Sequence, residues 1–506
     1  MAEEIDKLYQ ELIERNKKLE LLGSCNAVLG WDERSYMPPE GAENRANQIS
    51  LISGMTHEMA TDPRVGELLS KLEDSDLVKD ETSPEAVNIR EIRRSYDKKV
   101  KLPKDLVEEI SRTTSKAHGI WVEARAKSDF KHFRDILKKI IDLGFRVADC
   151  YGYETEPYDA LLDDYEPGAT IEFISKVFAD LRNDLVPFVE KIKESGKHPD
   201  MSILEADYDV ERQALFGKAA SAAIGYDYNA GRLDITTHPF CTTIGPGDVR
   251  ILTRYNPRHF GQGFFGILHE SGHGIYEQGL PRDKHFGTPM ADMASLGIHE
   301  SQSLSWENIV GRGKPFWRHF FPRAQQTYPE HLSKVKFDDF YFAINDVRPS
   351  FIRVDADEVT YCLHILLRFE IEQGIYRKEI KVDDIPSIWN EKFTSYLGIT
   401  PPDDAQGCLQ DVHWSMGAFG YFPTYALGNL YAAQFFAKAK EDLPNMFDEF
   451  ERGDFSSLKE WQNKNIHAHG QRYKAVKLVE VVTGKPLSHK PFVEYLEKKF
   501  APLYLE

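Results

Sequence analysis

The segment that most constrains this chain is residues 269–273, which read His-Glu-Ser-Gly-His. Apolar residues flank the segment on both sides, so we expect it to lie in a buried helix. Two histidines four positions apart share one face of such a helix and can bind the same metal ion. The glutamate beside the first histidine is then placed to act as a base toward water that the ion activates. The pattern therefore predicts metal-assisted hydrolysis.

Two glycines in and after this motif, Gly272 and Gly274, are unusual choices for a helix that serves only as structure. Each lowers the helix propensity by up to about 1 kcal/mol. We expect glycines at such positions where another part of the chain approaches the helix backbone closely. The alternative interpretation is a buried helix whose two histidines are hydrogen-bonded core residues.

A catalytic zinc ion needs three protein ligands and one open coordination position. Residues 293–308 predict a second helix, and it carries Glu300 soon after the histidine pair. We take Glu300 as the third ligand, with His299 and Glu307 as alternatives that the spacing does not exclude. No two cysteines form a Cys-x-x-Cys pair, so a closed thiolate site is not expected.

Charge and composition exclude several classes of partner. The formal net charge of −18 argues against a nucleic-acid partner and against anionic membranes. No apolar run is long enough to span a bilayer. The acidic N-terminal segment, residues 1–6, resembles neither a secretory signal nor a transit peptide. Because the five cysteines are scattered and odd in number, we expect a reducing compartment, the cytoplasm.

Helical periodicity dominates the chain, and no linker or repeat divides it. We therefore predict a mainly α fold in a single domain over residues 1–506. Its predicted parts are an N-terminal helical part at about 1–230, a metal and substrate part at about 231–430, and C-terminal helices at 431–506. Predicted helices include residues 104–127, 171–193, 211–224, 429–441 and 473–482.

Residues 233–255 interrupt the helical pattern with many Thr, Ile, Val and Phe residues and a clear turn at 244–248. We predict a small β-hairpin here, with Pro239 at an edge position. An exposed strand edge can hold an extended peptide by main-chain hydrogen bonds. Because the hairpin directly precedes the helix with the two histidines, a peptide is the first substrate to expect.

Six motifs stand in order along the chain, at residues 238–240, at Asp248 with Arg250, and at residues 269–273, 299–302, 352–357 and 407–414. Taken together, these motifs resemble the carboxypeptidase Taq family of zinc metallocarboxypeptidases. The chain departs from the family pattern at Leu252, where the family has threonine.

The resemblance implies a nearly all-helical fold with a deep groove, a small β-sheet beside the metal site, and a homodimer. It implies removal of single residues from the C-termini of peptides, with Zn²⁺ as the cofactor and Co²⁺ as a substitute. In such an enzyme His269, His273 and Glu300 bind the metal, while Glu270 accepts a proton from water and delivers it to the leaving amine.

A carboxypeptidase must also recognise a free C-terminal carboxylate, and arginine suits this task because its guanidinium binds a carboxylate bidentately. Arg353 is the first candidate and Arg348 the second, although Arg353 could instead pair with an acid of its own segment. The other predicted substrate-binding residues are His238, Pro239, Phe240, Asp248, Arg250, His299, Ser301, Gln302, His413, Tyr421 and Tyr425. His413 and the two tyrosines are also candidate donors to the oxyanion.

Two alternatives remain open at this point. The same ligands could serve a metallo-endopeptidase or a dipeptidase. The chain could also be a non-enzymatic helical scaffold in which a structural zinc ion connects two helices, and Glu270 would then be an ordinary surface acid.

Overall fold

A computed structural model describes residues 2–506, so Met1 of the predicted domain lies outside the described residues. The chain is mainly α-helical and contains a three-stranded β-sheet, which confirms the predicted fold class. Within the described residues, no helix combines the length and the apolar character needed to cross a bilayer.

Helices account for most of the described chain before the sheet. Several begin at a capping side chain: Asp62 accepts a hydrogen bond from the Arg64 amide at the start of the third helix, and Thr170 caps the eighth. The fifth helix has the same bounds as its prediction. These helices are α1 (Ala2–Glu33), α2 (Ala42–Ala60), α3 (Pro63–Leu72), α4 (Pro84–Lys101), α5 (Lys104–Lys127), α6 (Phe130–Tyr151), α7 (Pro157–Leu162), α8 (Ile171–Glu194) and α9 (Val210–Ala223).

The sheet contains β1 (Gly231–Ile235), β2 (Phe240–Gly245) and β3 (Asp248–Thr253) in the order β1-β3-β2. The antiparallel pair β2–β3 is the predicted hairpin, and Pro239 directly precedes the edge strand β2. The predicted hairpin included residues 233–235, but these residues belong to a separate strand, β1, which pairs in parallel with β3. A Cβ atom at Gly231 would lie 2.1 Å from the carbonyl oxygen of Val249, so this strand can begin only at a glycine.

The predicted helix over residues 293–308 begins at Leu296 and continues to Val310, but it is α-helical only as far as Leu304. Its α-helical part begins after Ser295, whose hydroxyl accepts a hydrogen bond from the Ile298 amide, and a π-helical turn at Ser305–Val310 follows it. The helices after the sheet are α10 (Phe260–Gly279), α11 (Arg282–His285), α12 (Leu296–Leu304), α13 (Lys314–Thr327), α14 (Pro329–Leu332), α15 (Phe337–Ala343), α16 (Tyr361–Tyr376), α17 (Ile385–Leu397), α18 (Pro423–Asp442), α19 (Met446–Arg452), α20 (Ser456–Asn465), α21 (Ala475–Thr483) and α22 (Lys490–Tyr504).

Two hydrophobic clusters stabilise the fold. The larger cluster draws on helices from α5 to α22 and on the sheet. The smaller cluster joins α1, α3 and α4 through residues such as Leu12, Leu68 and Ile89. The first helices therefore pack around a core of their own, while α10 lies in the larger core.

Helix α10 is buried on most of its faces, and its glycines set how closely its neighbours pack. A Cβ atom at Gly272 would lie 2.6 Å from the backbone of Gln302 and Ser303 in α12. A Cβ atom at Gly274 would lie 2.6 Å from the ring of Tyr226. The close approach that these glycines predicted is therefore present, and it brings the backbone of α12 directly against α10.

Candidate metal centre

The three predicted metal ligands converge where α10 packs on α12. His269 and His273 lie one turn apart on α10, and Glu300 lies on α12. One possible ligand atom from each of the three lies within 4.8 Å of the others. Both histidines turn Nε2 toward Glu300 Oε2, at 3.8 Å for His269 and 3.4 Å for His273. Two imidazole nitrogens and one carboxylate are a donor set that fits a catalytic zinc ion.

The other ring nitrogen of each histidine has its own partner. Nδ1 of His269 donates to Glu307 Oε2 at 2.8 Å, and Nδ1 of His273 donates to the carbonyl oxygen of His299 at 3.1 Å. The hydroxyl of Ser303 donates to Glu300 Oε2 at 3.1 Å. Partners of this kind fix the ring orientation of metal-binding histidines and leave Nε2 free for the ion.

Protonation of the three side chains follows from burial and from their neighbours. Burial lowers the pKa of His273 to about 4 and keeps its ring neutral. Burial also lowers the pKa of His269, but Glu300 and Glu307 outweigh it and raise this pKa to about 10. Burial raises the pKa of Glu300, yet the two histidines bring it down to about 2. A cation bound by these three side chains would therefore displace a proton from His269.

Glu270 is buried beside these groups, with 6 % of its surface exposed. Burial raises the pKa of its carboxyl to about 7. Its Oε2 atom is buried and has no hydrogen-bond partner among the described residues. An acid with a pKa near neutrality and an unused oxygen can accept a proton and return it.

His299 lies beside His273 and outside the converging ligand set. Its ring stacks on the ring of His273, with the two centroids 4.3 Å apart and the planes inclined by 24°. Its Nε2 donates to Glu277 Oε1 at 2.9 Å. Spacing alone left His299 and Glu307 as alternatives to Glu300. In the structure, these two side chains contact His273 and His269 from other directions.

Arg353 lies in a buried ionic cluster close to α18. Its Nε and Nη2 donate to Asp411 Oδ1 at 3.0 and 2.8 Å, and its Nη1 donates to the Tyr361 hydroxyl at 3.1 Å. Arg368 donates to the other oxygen of the same carboxylate, Asp411 Oδ2, at 2.6 Å. Burial raises the pKa of Asp411, but the two arginines outweigh it and hold this pKa well below its usual range. The three groups therefore carry a net charge of about +1 in the interior.

An aromatic group covers this cluster. The Arg353 guanidinium lies over the ring of Tyr425, 5.0 Å from the ring centroid. The Tyr425 hydroxyl is 3.3 Å from Nε2 of His413. Tyr421 packs on both residues. Burial and the Glu300 carboxylate raise the pKa of Tyr421. The helix that follows Tyr421, α18, packs directly on Glu300, since a Cβ atom at Gly428 would lie 2.7 Å from Glu300 Cγ.

Arg348, the second candidate for the substrate carboxylate, lies in the loop before Arg353. About half of its side chain is exposed, and its guanidinium pairs with Asp346. Ser301 and Gln302 are buried in α12, where Gln302 Nε2 donates to the Ser301 hydroxyl at 2.9 Å and Gln302 Oε1 lies 3.0 Å from a ring nitrogen of His467.

The predicted substrate residues of the sheet region lie in the connection before β2, at the start of β2 and at the start of β3. His238 and Pro239 are exposed in the connection between β1 and β2, and Phe240 begins β2. Asp248 accepts two hydrogen bonds from Arg250, at 2.8 and 2.7 Å. The Arg250 guanidinium lies 4.3 Å from the ring centroid of Trp31, so this pair fastens α1 to the sheet.

Sequence reasoning missed the partners that orient the site. Glu277 carries a readable signal, because it follows His269 and His273 at the same four-residue interval. Asp411 lies in the motif at residues 407–414, but the sequence did not indicate a role for it. Arg368 gave no signal, since a buried arginine on an apolar helix is apparent only when its partner is known.

Comparison with known proteins adds independent findings. A family model described as carboxypeptidase Taq (M32) metallopeptidase matches residues 11–500. Thermostable carboxypeptidase 1 of Thermus thermophilus is 47% identical over 508 residues, covering 98% of this chain and 99% of the relative. Carboxypeptidase 1 of Bacillus subtilis is 41% identical over 502 residues, covering 99% and 100%. The crystal structure of an M32 carboxypeptidase from Deinococcus radiodurans R1 has a TM-score of 0.95 at 37% identity, with 99% and 100% of the two chains covered.

Proposed function

The chain belongs to the carboxypeptidase Taq (M32) family and is a metal-dependent carboxypeptidase, and on that premise we propose that His269, His273 and Glu300 bind its catalytic ion and that Glu270 moves the proton. The substrate is a peptide, from which the enzyme releases one C-terminal residue at a time. The family membership favours this activity over the endopeptidase, dipeptidase and scaffold alternatives.

The observation that carries the proposal is the convergence of three ligand atoms within 4.8 Å while both Nδ1 atoms are already used. A pair of histidines that served only the core would also direct Nε2 to a hydrogen-bond partner. Here both Nε2 atoms face one carboxylate oxygen at more than 3.2 Å, beyond a good hydrogen bond. A cation placed among the three atoms satisfies all of them.

Glu270 supplies the proton transfer. Its unpartnered Oε2 accepts a proton from the attacking water, and the protonated acid then donates that proton to the leaving amine. A pKa of about 7 allows both steps near neutral pH. The bound ion supplies Lewis-acid activation of the water and of the scissile carbonyl. Tyr421, Tyr425 and His413 are the proposed donors to the oxyanion.

Arg353 recognises the substrate C-terminus in this proposal. The cluster of Arg353, Arg368 and Asp411 holds two cations and one anion. A substrate carboxylate beside Arg353 would bring the cluster to neutrality, whereas a peptide amide would not. Arg348 is the weaker candidate because it is half exposed and pairs with Asp346.

We further propose that the ion is Zn²⁺, with Co²⁺ as a working substitute, because a His, His, Glu set suits zinc. We also propose a homodimer in the cytoplasm, with a groove that admits the peptide. The free thiols of all five cysteines in the described chain support a reducing compartment. Light scattering coupled to size-exclusion chromatography tests the dimer.

Metal analysis tests the ligand assignment. We expect one zinc ion per purified chain, and loss of that ion in both His273→Ala and Glu300→Gln. The matched control is Glu307→Gln, which changes a neighbouring acid outside the ligand set and should retain a weakened site. Full zinc content in Glu300→Gln would contradict the assignment.

A further inference from the structure

Three side chains, Thr243, Glu277 and His299, connect strand β2 to the ring of His273. Glu277 on α10 is buried, and its Oε1 accepts a hydrogen bond from His299 Nε2 at 2.9 Å. The His299 ring stacks on His273 at a centroid distance of 4.3 Å. The carbonyl oxygen of His299 also accepts the Nδ1 hydrogen bond of His273. His299 thus contacts the His273 ring both through its backbone and through its own ring.

Glu277 is itself held from two other directions. Its Oε2 accepts a hydrogen bond from the Thr243 hydroxyl of β2 at 2.6 Å and another from Arg282 Nη2 at 2.6 Å. Arg282 Nη1 also donates to the Glu277 carbonyl oxygen. A carboxylate fixed at both oxygens has one orientation, and it passes that orientation to the ring of His299.

The contacts of Glu277 differ from those of an ordinary buried acid. Its three hydrogen-bond donors come from different elements: Thr243 from β2, Arg282 from α11 and His299 from α12. The ring edge of Tyr276 lies against His299, with the centroids 5.5 Å apart, and limits its movement on another side. Among the described residues, the hydrogen bond to Glu277 is the only one that the His299 side chain makes. The position of the His299 ring therefore depends on Glu277.

We propose that Glu277 is a positioning residue of the metal centre, which holds His299 against His273 and so keeps His273 Nε2 directed at the ion. This inference rests on the proposed function, in which His273 is a ligand. Glu277 is not one of the three converging side chains, and its own carboxylate is occupied by Thr243, Arg282 and His299. It connects the strand beside the site to the metal ligand, so that the sheet and the centre keep one relative geometry.

Cobalt binding to the metal-free protein tests this proposal without any assay of activity. The dissociation constant is measured by competition with a chelator, and the visible absorption of Co²⁺ reports its coordination geometry. Glu277→Gln should weaken cobalt binding about 10- to 100-fold and alter the absorption bands. The matched control is Glu91→Gln, because Glu91 is equally buried and paired with Lys474 and Arg90, away from the three ligands. The control should bind cobalt like the wild type.

A double-mutant cycle tests the route through His299. His299→Phe keeps a flat ring but removes the hydrogen bond to Glu277. If Glu277 acts through His299, adding Glu277→Gln to His299→Phe should change the dissociation constant by no more than about twofold. An equal loss with and without His299 would overturn the proposal, and so would cobalt binding by Glu277→Gln that matches the control.

Two further variants keep the proposal testable if Glu277→Gln does not fold. Thr243→Val and Arg282→Met each remove one donor that holds Glu277, and both should weaken cobalt binding and alter its spectrum. Wild-type affinity in both would overturn the proposal. If the wild-type protein itself bound no cobalt, the ligand assignment would fail first, which separates that failure from a failure of positioning alone.

Discussion

Replacement of Arg353 by methionine should separate substrate recognition from stability. The variant keeps most of the apolar stem and removes the guanidinium. Asp411 then retains Arg368, so its buried charge stays paired one to one. Removing one partner of a buried, hydrogen-bonded charge pair costs about 2–5 kcal/mol of binding. At about 1.4 kcal/mol per tenfold, this predicts a loss of kcat/KM of about 30- to 4,000-fold.

The free energy of unfolding should decrease by a comparable or smaller amount. The lost hydrogen bonds to Asp411 predict a decrease of about 1.5–3 kcal/mol in the free energy of unfolding. Asp411→Asn should cost more, about 3–5 kcal/mol, because it leaves two buried arginines without a counter-charge. Denaturant unfolding of both variants gives this comparison.

The assay compares inhibition by an N-acyl amino acid with inhibition by its amide. The wild type should bind the free acid far more tightly than the amide, and Arg353→Met should lose this preference. Arg348→Met is the matched control, since Arg348 is half exposed and pairs with Asp346 rather than with Asp411, and this variant should keep the preference. The reasoning is refuted if Arg353→Met still prefers the acid, or if Arg348→Met is the variant that loses the preference.

Three further predictions concern buried acids. Glu270→Gln should retain zinc and lower kcat by about three orders of magnitude, and turnover near the wild-type rate would remove Glu270 from the mechanism. Glu307→Gln should weaken zinc binding about 10- to 100-fold in chelator competition, because the acceptor of His269 Nδ1 loses its negative charge, whereas unchanged affinity would contradict this. Burial raises the pKa of Glu166 to about 7 against an ordinary 4.5, so its contribution to stability is present below the ordinary value and is lost as the pH rises through about 7. The melting temperature of Glu166→Gln, relative to that of the wild type, should therefore rise as the pH increases from about 5 to about 8. A difference that stays constant over this range would show that Glu166 stays ionised.

The sequence predicted local elements well and long-range pairing poorly. Helix α5 has its predicted bounds, because Pro103 precedes it and its apolar positions recur at the helical period. The hairpin β2–β3 was predicted from its turn at residues 244–248. Residues 233–235 were predicted as part of the hairpin and not as the separate strand β1, because the parallel pairing of β1 with β3 involves no tight turn and leaves no local signal.

The candidate site shows the same limit. The four-residue interval placed His269 and His273 on one face, and the following helix offered Glu300. Spacing could not decide which face of α12 meets α10, so His299 and Glu307 remained alternatives. The structure distinguishes them through packing that no sequence pattern encodes: a π-helical turn directs Glu307 to the far nitrogen of His269.

Residues that act through a distant partner were also beyond sequence reasoning. Arg353 was singled out, and the acids of its own segment were weighed as partners. Its actual partner is Asp411, which follows after more than fifty residues and also binds Arg368. Such a cluster forms only when the loop before α16 and the loop before α18 pack together, a consequence of the whole fold rather than of either segment.

The central claim is that one ion, held by His269, His273 and Glu300, is needed for the removal of C-terminal residues. Mass spectrometry of a single peptide incubated with metal-free, zinc-restored and Glu300→Gln enzyme tests it most directly. We expect a ladder of products shortened one residue at a time from the C-terminus with the zinc-restored enzyme, and intact peptide with the other two. The same ladder from metal-free enzyme or from Glu300→Gln, or internal cleavage by the restored enzyme, would contradict the account.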